Sequence, residues 1–166
     1  MSTSHDAPGA DANATDANAP ETGPRVLTSP PAISEILVGD VLPQRHHTPS
    51  NVSLFLYNAA VWNPHRIHYD AQYATEGEGH AGIVIDGPLQ GDWITQTVLN
   101  WLGPDDDLVR FSYQNRLAAH LSETLVSGGS VTAVDVAASL VQLDLFIVNE
   151  AGIVTTPGTA TVFLAT

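Results

Sequence analysis

The chain of 166 residues contains no cysteine and no lysine. The absence of cysteine excludes disulfides, thiolate metal ligands and cysteine nucleophiles, and the absence of lysine excludes Schiff-base chemistry. Acidic residues number 18 against 5 basic ones, all arginine, for a net charge of -13. Because nucleic-acid binding needs clustered cations to hold phosphates, we expect no nucleic-acid partner.

The sequence also lacks a long apolar run, and no basic region precedes an apolar segment at its N-terminus. A membrane-spanning helix needs roughly 20 predominantly apolar residues, and a secretory signal needs a basic region before its apolar core. We therefore expect a cytoplasmic protein with no membrane contact.

Two parts of the chain differ in composition. Residues 1 to 24 are mainly small, polar or acidic, with almost no large apolar side chain. Such a segment cannot bury enough surface to offset the entropy of ordering, so we predict a disordered acidic tail. The remainder, residues 25 to 166, has the length and apolar content of one globular domain.

Two α-helices are predicted. Ser50 can cap a helix over about residues 52 to 61. A longer helix is predicted from Gly87 to about Leu102, because Pro88 suits a first helical turn and the apolar residues that follow recur at helical spacing on more than one face. A helix that is apolar on several sides is usually buried.

The second half of the chain is predicted to be mostly β-strand. Residues 141 to 147 carry aliphatic side chains at every second position, the pattern of a half-buried strand. The Gly128-Gly129 pair indicates a bulge or bend. Further strands are predicted over residues 108 to 117, 123 to 133 and 159 to 165. This order of elements favours an α+β fold in which an antiparallel sheet surrounds one long helix.

The densest group of hydrogen-bonding side chains follows the first predicted helix. This loop reads Asn63-Pro64-His65-Arg66-Ile67-His68-Tyr69-Asp70. His68 is the natural proton carrier, because an imidazole changes its protonation state near neutral pH, although a lone loop histidine is more often structural. The histidine spacing matches no zinc signature such as H-E-x-x-H, so we expect no metal site.

The loop, the helix start at Gly87-Pro88 and the later strands resemble the MaoC-like enoyl-CoA hydratases and 3-hydroxyacyl-thioester dehydratases of the hotdog fold. The resemblance covers roughly residues 33 to 165. It implies a single hotdog domain over residues 25 to 166 and reversible addition of water to a trans-2-enoyl thioester. It also implies an acyl-CoA or acyl-carrier substrate, no cofactor beyond the coenzyme A of the substrate, and a homodimer or a heteromer with another hotdog chain.

Four positions depart from the commonest form of the family, and two of them are His65 and Arg66, which stand where it usually has Asn-Pro. Its loop reads Asp-x-Asn-Pro-(aliphatic)-His, so His68 takes the histidine position and Asn63 stands where the family usually has aspartate. Gly87 matches the glycine at the start of the central helix. The residue before that glycine is often histidine in the family and is Asp86 here.

The resemblance and the needs of hydration chemistry together indicate four site residues. His68 would act as base or acid. Asn63 cannot accept a proton at working pH, but its amide can orient the attacking water. The Gly87 amide, at a helix N-terminus, can donate to the thioester oxygen. Arg66 is either a substrate-binding residue or a brace that forms an ion pair within the loop.

Two other hypotheses remain open from the sequence. The amide at Asn63 is compatible with a non-catalytic or partner-dependent subunit of a heteromeric hydratase. A hotdog thioesterase is a further alternative, although the nearest acid on the central helix is Asp92, five positions after Gly87.

Overall fold

Five strands form one antiparallel sheet. The computed structural model describes residues 23 to 165, in which the strands are β1 (Arg45–His47), β2 (Asp107–Tyr113), β3 (Leu125–Asp135), β4 (Leu140–Val148) and β5 (Val154–Phe163). Their order across the sheet is β1-β3-β4-β5-β2, and every neighbouring pair is antiparallel. The tail predicted for residues 1 to 24 lies outside the described residues, apart from residues 23 and 24.

Two α-helices precede the long strands. They are α1 (Asn51–Ala60) and α2 (Gly87–Leu99), and a 3-10 turn (Arg66–His68) and a π-helical turn (Tyr73–Gly77) lie between them. The Ser50 hydroxyl caps α1 by accepting a hydrogen bond from the Ser53 amide at 3.1 Å, the cap that serine favours. Among residues 23 to 165, no helix is both long enough and apolar enough to cross a bilayer.

The core lies between α2 and the sheet. α2 packs on β2, β3 and β4, and its Ile94 and Val98 are fully buried. They belong to one apolar cluster with the alternate residues of β4, namely Val141, Leu143, Leu145 and Ile147. Each such side chain contributes about 1.5–3 kcal/mol when it is removed from water. The predicted α+β arrangement and the period-2 strand are confirmed.

The prediction of a bulge or bend at Gly128-Gly129 is wrong. Both glycines stay in register with β4, and the irregularity falls further along, between Val131 and Ala133. A Cβ on Gly128 would lie 2.6 Å from the Phe146 ring, and one on Gly129 would lie 2.6 Å from a Leu145 methyl group. The glycines therefore leave room for the close approach of β4 side chains, which an added Cβ would force to shift.

Several element boundaries differ from the predicted ones. α2 ends at Leu99, before Leu102, and β2 ends at Tyr113. β5 begins at Val154, five residues earlier than predicted. The prediction missed this part because proline within a run argues against a strand, yet Pro157 lies in register opposite Phe146. The edge strand β1 was not predicted, because three residues are too few to show a periodic pattern.

His47 on β1 is buried next to α2. Its ring stacks on Trp93 with ring centroids 4.3 Å apart, and its Nε2 lies 2.9 Å from the Ser127 hydroxyl. Burial, together with the positive charges of Arg45 and His46, lowers the pKa of His47 to about 4. The folded protein therefore holds this imidazole in its neutral form.

This shift predicts a loss of stability on acidification. As pH falls from 6.5 toward 4, the unfolded chain binds a proton at His47 that the folded protein does not. The free energy of unfolding should therefore decrease, by about 3 kcal/mol at most. In urea unfolding at about pH 7 and pH 5, His47→Gln should lose less stability between the two pH values than the wild type. His46→Gln, at the exposed neighbouring position, should differ from the wild type less than His47→Gln does, because His46 is the smallest of the three causes of the shift. Equal losses in all three proteins would contradict the assignment.

Candidate active site

The loop after α1 is held in place by its own hydrogen bonds. The main-chain N–H of Asn63 donates to the main-chain carbonyl of Asn58 at 2.8 Å. The side-chain Oδ1 of Asn63 accepts from the main-chain N–H of His65 at 3.1 Å. Trp62 turns the chain with φ of 57°, an uncommon conformation for a residue other than glycine. These contacts direct the Asn63 side-chain nitrogen toward the start of α2.

His68 is nearly buried, with an exposed fraction of 8%. Its Nδ1 lies 2.8 Å from the Val84 carbonyl oxygen. A carbonyl can only accept, so Nδ1 carries a proton and donates it. The second nitrogen, Nε2, therefore gains or loses the exchangeable proton. A backbone hydrogen bond from Val84 to Ile67 at 3.0 Å holds the two segments together.

Asp86 brings Asn63 and His68 together. It is completely buried, and its Oδ2 accepts a hydrogen bond from Asn63 Nδ2 at 2.8 Å. The same oxygen lies 3.5 Å from His68 Nε2. Its other oxygen, Oδ1, is buried and has no hydrogen-bond partner among the described residues. The three side chains form one cluster at the start of α2.

The Asp86 side chain does not do what its position favours. It occupies the N-cap of α2, where aspartate usually accepts a hydrogen bond from the first-turn amides. Here it makes no capping hydrogen bond. In the sequence, Asp86 stands out only as a departure from the family at the position before Gly87, and it is not among the predicted site residues. Its proximity to the loop depends on tertiary structure, which a sequence pattern does not report.

Gly87 opens α2, where helical geometry provides no acceptor for the first amides. Pro88 follows it, so the second position has no N–H at all. An added Cβ on Gly87 would lie 2.3 Å from Nδ2 of Asn115. The structure therefore places the predicted Gly87 amide one residue from the Asp86 cluster, and a larger residue at this position would have to displace the Asn115 side chain.

Arg66 lies in the same loop but faces away from the cluster. Its guanidinium donates to Asp70 Oδ2 at 2.7 Å and lies 4.3 Å from the centre of the Tyr73 ring. A hydrogen bond from the Tyr73 amide, followed by that from Arg66, lowers the pKa of Asp70. The ion pair of the bracing interpretation is thus present, and the side chain of Arg66 is 55% exposed.

A cavity of about 260 Å³ adjoins the loop, lined mainly by apolar groups from Phe55, Asn58, Ala59, Trp62, Asn63, Pro64 and Tyr69. It reaches the site at Asn63. On the other side of α1, Asp92 of α2 accepts a hydrogen bond from the Tyr57 hydroxyl at 2.8 Å. Burial, with a smaller contribution from that hydrogen bond, raises the pKa of Tyr57.

Solved structures share this architecture. A MaoC-like dehydratase superposes with a TM-score of 0.74 at 20% identity, over 81% of this chain and 42% of that one. The ChsH1-ChsH2 complex from Mycobacterium tuberculosis matches with a TM-score of 0.69 at 19% identity, over 78% of this chain and 98% of that one. At these identities the likeness establishes the fold, which is that of the MaoC-like hotdog proteins.

Sequence comparison defines the family more closely. The family described as "Hydroxyacyl-thioester dehydratase type 2" matches residues 31–120, more than half of the chain. The protein therefore belongs to the hydroxyacyl-thioester dehydratase type 2 family.

Two curated relatives match shorter segments of the chain. The mitochondrial hydroxyacyl-thioester dehydratase type 2 of Schizosaccharomyces pombe is 38% identical over 35% of this chain and 20% of its own length. The mesaconyl-C(4)-CoA hydratase of Chloroflexus aurantiacus is 38% identical over 43% of this chain and 23% of its own length. The matched segments thus span about a fifth of each relative.

The contact at Gly87 can be tested by its effect on stability. Gly87→Ala should lower the free energy of unfolding by about 1 kcal/mol, because the new methyl group must displace the Asn115 side chain. The double variant Gly87→Ala with Asn115→Ala should recover most of this loss, measured by urea unfolding against Asn115→Ala alone. Purely additive effects would show that the two residues are not coupled.

Proposed function

We propose that the protein catalyses reversible hydration of a trans-2-enoyl thioester, or dehydration of the corresponding 3-hydroxyacyl thioester. The observation that carries this proposal is His68, whose Nδ1 is fixed by the Val84 carbonyl while its Nε2 lies within the Asn63–Asp86 cluster. The names of the family and of its two curated relatives, a dehydratase and a hydratase, support this class of reaction.

One imidazole is sufficient for the proton transfers. In hydration, the water oxygen bonds to the β-carbon while one water proton passes to His68 Nε2. The electron pair of the double bond moves to the thioester oxygen. When the carbonyl reforms, the α-carbon takes the proton from His68, which returns to its neutral form. Both parts of the water molecule are then on the substrate, and dehydration is the reverse.

The start of α2 is the proposed site for the thioester oxygen. Amides at a helix N-terminus point outward and carry partial positive charge, so the Gly87 N–H can stabilise the enolate oxygen as charge develops there. Gly87 and Pro88 are the first two residues of the helix, and Pro88 has no N–H. Of these two, Gly87 is therefore the residue that can donate to the thioester oxygen. Asn63 contributes indirectly in this scheme, by its hydrogen bond to Asp86.

Substrate contacts are proposed from chemistry and exposure. The apolar cavity beside Asn63 suits part of an acyl chain. Arg66 lies on the exposed side of the loop, and its ion pair with Asp70 leaves it near the surface as a candidate contact for an anionic carrier such as coenzyme A. Neither the hydration reaction nor this set of residues calls for a metal or redox cofactor.

We further propose that the chain works with a second hotdog chain, either a copy of itself or a different partner. One solved structure with this fold is a complex of two components, ChsH1 and ChsH2. Light scattering on the purified protein would separate a homodimer from a monomer. Hydratase activity that appears only when another hotdog chain is added would favour the partner-dependent alternative.

The role of His68 predicts a large loss of activity. His68→Gln should lower kcat/KM about 10²–10⁴-fold, the usual contribution of a general acid–base group, in an assay that follows loss of the enoyl-thioester absorbance across a series of trans-2-enoyl-CoA substrates. His65→Gln is a matched control, since the side chain of His65 is 51% exposed in the same loop. Normal turnover by a folded His68→Gln protein would rule out the proposed mechanism.

The thioesterase alternative is tested in the same preparation. Acyl-CoA substrates without the 2,3 double bond or a 3-hydroxyl group should release no free thiol above the uncatalysed rate. Thiol release that survives in His68→Gln but is lost in Asp92→Asn would replace the hydratase proposal with a hotdog thioesterase.

A further inference from the structure

The hydrogen bond from Asn63 accounts for only one of the two carboxylate oxygens of Asp86. Asp86 is fully buried, it does not cap the helix that it precedes, and its Oδ1 has no hydrogen-bond partner in the described part of the chain. Burying an acceptor without a partner costs about 1–3 kcal/mol, and more for a charged group. Such a cost is typical of groups that are retained for a reaction.

The hydrogen bonds around His68 show which atom of the imidazole faces the Asp86 carboxylate. Because Nδ1 donates to Val84, a neutral His68 presents a lone pair at Nε2. Nε2 is 3.5 Å from Asp86 Oδ2, which already accepts from Asn63. Two acceptors thus face each other and make no hydrogen bond in the resting site. A proton that arrives at Nε2 turns this contact into an ion pair between an imidazolium and a carboxylate.

We propose that Asp86 is the positioning residue that stabilises the imidazolium form of His68 during the reaction. Asp86 thereby supplies, from the start of α2, the carboxylate that the loop lacks at Asn63. Its contribution grows as the proton leaves water, so it favours the transition state over the ground state. Burial strengthens the ion pair, because water does not screen it. The inference deepens the proposed function and rests on it for its catalytic part.

Among the described residues, Asp86 is the acid that lies within ion-pair distance of His68. The other titratable ring near it is His65, whose centroid lies 5.8 Å away and which carries no negative charge. Glu78 is the acid beside His65: its Oε1 lies 3.9 Å from His65 Nε2, so it pairs with that ring and leaves His68 to Asp86. The Asn63 amide holds Asp86 Oδ2 in place by donating to it, and this interaction suits a carboxylate better than a carboxylic acid.

Asp86→Asn is the first test, because it removes the charge and nearly preserves the shape. We expect kcat for enoyl-CoA hydration to fall at least 100-fold while KM changes less than threefold. The melting temperature should equal or exceed that of the wild type, because the substitution removes a buried charge whose Oδ1 has no hydrogen-bond partner among the described residues. A kcat within threefold of the wild type, or a loss of activity that only accompanies unfolding, would overturn the proposal.

An exchange of the two side chains is the sharper test. Asn63→Asp alone places two carboxylates within hydrogen-bond distance, so their repulsion should lower activity. Asn63→Asp combined with Asp86→Asn keeps the net charge and the amide–carboxylate pair in reversed order, and should restore kcat at least tenfold over Asp86→Asn. No recovery would overturn the assignment of the effect to the charge. A strong gain in kcat by Asn63→Asp alone would instead show that the wild-type site lacks a working carboxylate, and it would overturn the role of Asp86.

A readout without substrate separates this inference from the proposed reaction. Nitrogen-15 chemical shifts of the imidazoles at about pH 6 report the protonated fraction of His68. That fraction should fall in Asp86→Asn, while the exposed His46 should not change. If it falls and the wild type hydrates no enoyl thioester, the pairing stands and the proposed function fails. If it does not change, the pairing fails even when the wild type is an active hydratase.

Discussion

The site depends on the extended segment from Ile83 to Asp86. This segment connects the loop that carries His68, the residues 119 to 121 before β3, and the start of α2. Val84 donates its amide to the loop at Ile67, and its carbonyl accepts from the His68 ring. On the other side, Ile85 donates to Ala119 and Leu121 donates to Ile83. Because the segment leads directly into α2, the main chain that begins the helix also supplies the carbonyl that holds the His68 ring.

Periodic features of the fold could be predicted from sequence. The buried positions of β4 follow from strict alternation, and α1 follows from its serine cap, since both signals are local. Gly128-Gly129 shows where local reasoning fails. A glycine pair within a strand indicates a bulge when only the chain itself is considered, but these glycines respond to Phe146 and Leu145 on the neighbouring strand. That reason lies in sheet packing, which has no local signature.

The same limit applies to the candidate site. The prediction of His68 rests on an imidazole in a polar loop together with the family resemblance, and that of Gly87 rests on its match to the family's glycine at the start of the central helix. Asp86 was visible only as an unusual residue, because an aspartate before a helix is ordinarily read as a cap. Only tertiary structure shows that its carboxylate turns toward Asn63 at 2.8 Å. The amide at position 63 then has a physical role, since it is the donor that the buried carboxylate requires.

The Asp86-Gly87-Pro88 sequence also resolves a competition at the start of α2. A carboxylate that capped the helix would place its negative charge against the first-turn amides, at the helix end whose positive charge would, under the proposed function, stabilise the thioester oxygen. Pro88 removes one of the two N–H groups that a capping side chain usually accepts from. Asp86 therefore has fewer possible capping hydrogen bonds here than at an ordinary helix start. The carboxylate is instead held by Asn63, which leaves the positive end of the helix to the developing enolate and places the negative charge beside His68. Two opposite charges that appear in the same transition state thus each meet a separate, fixed partner.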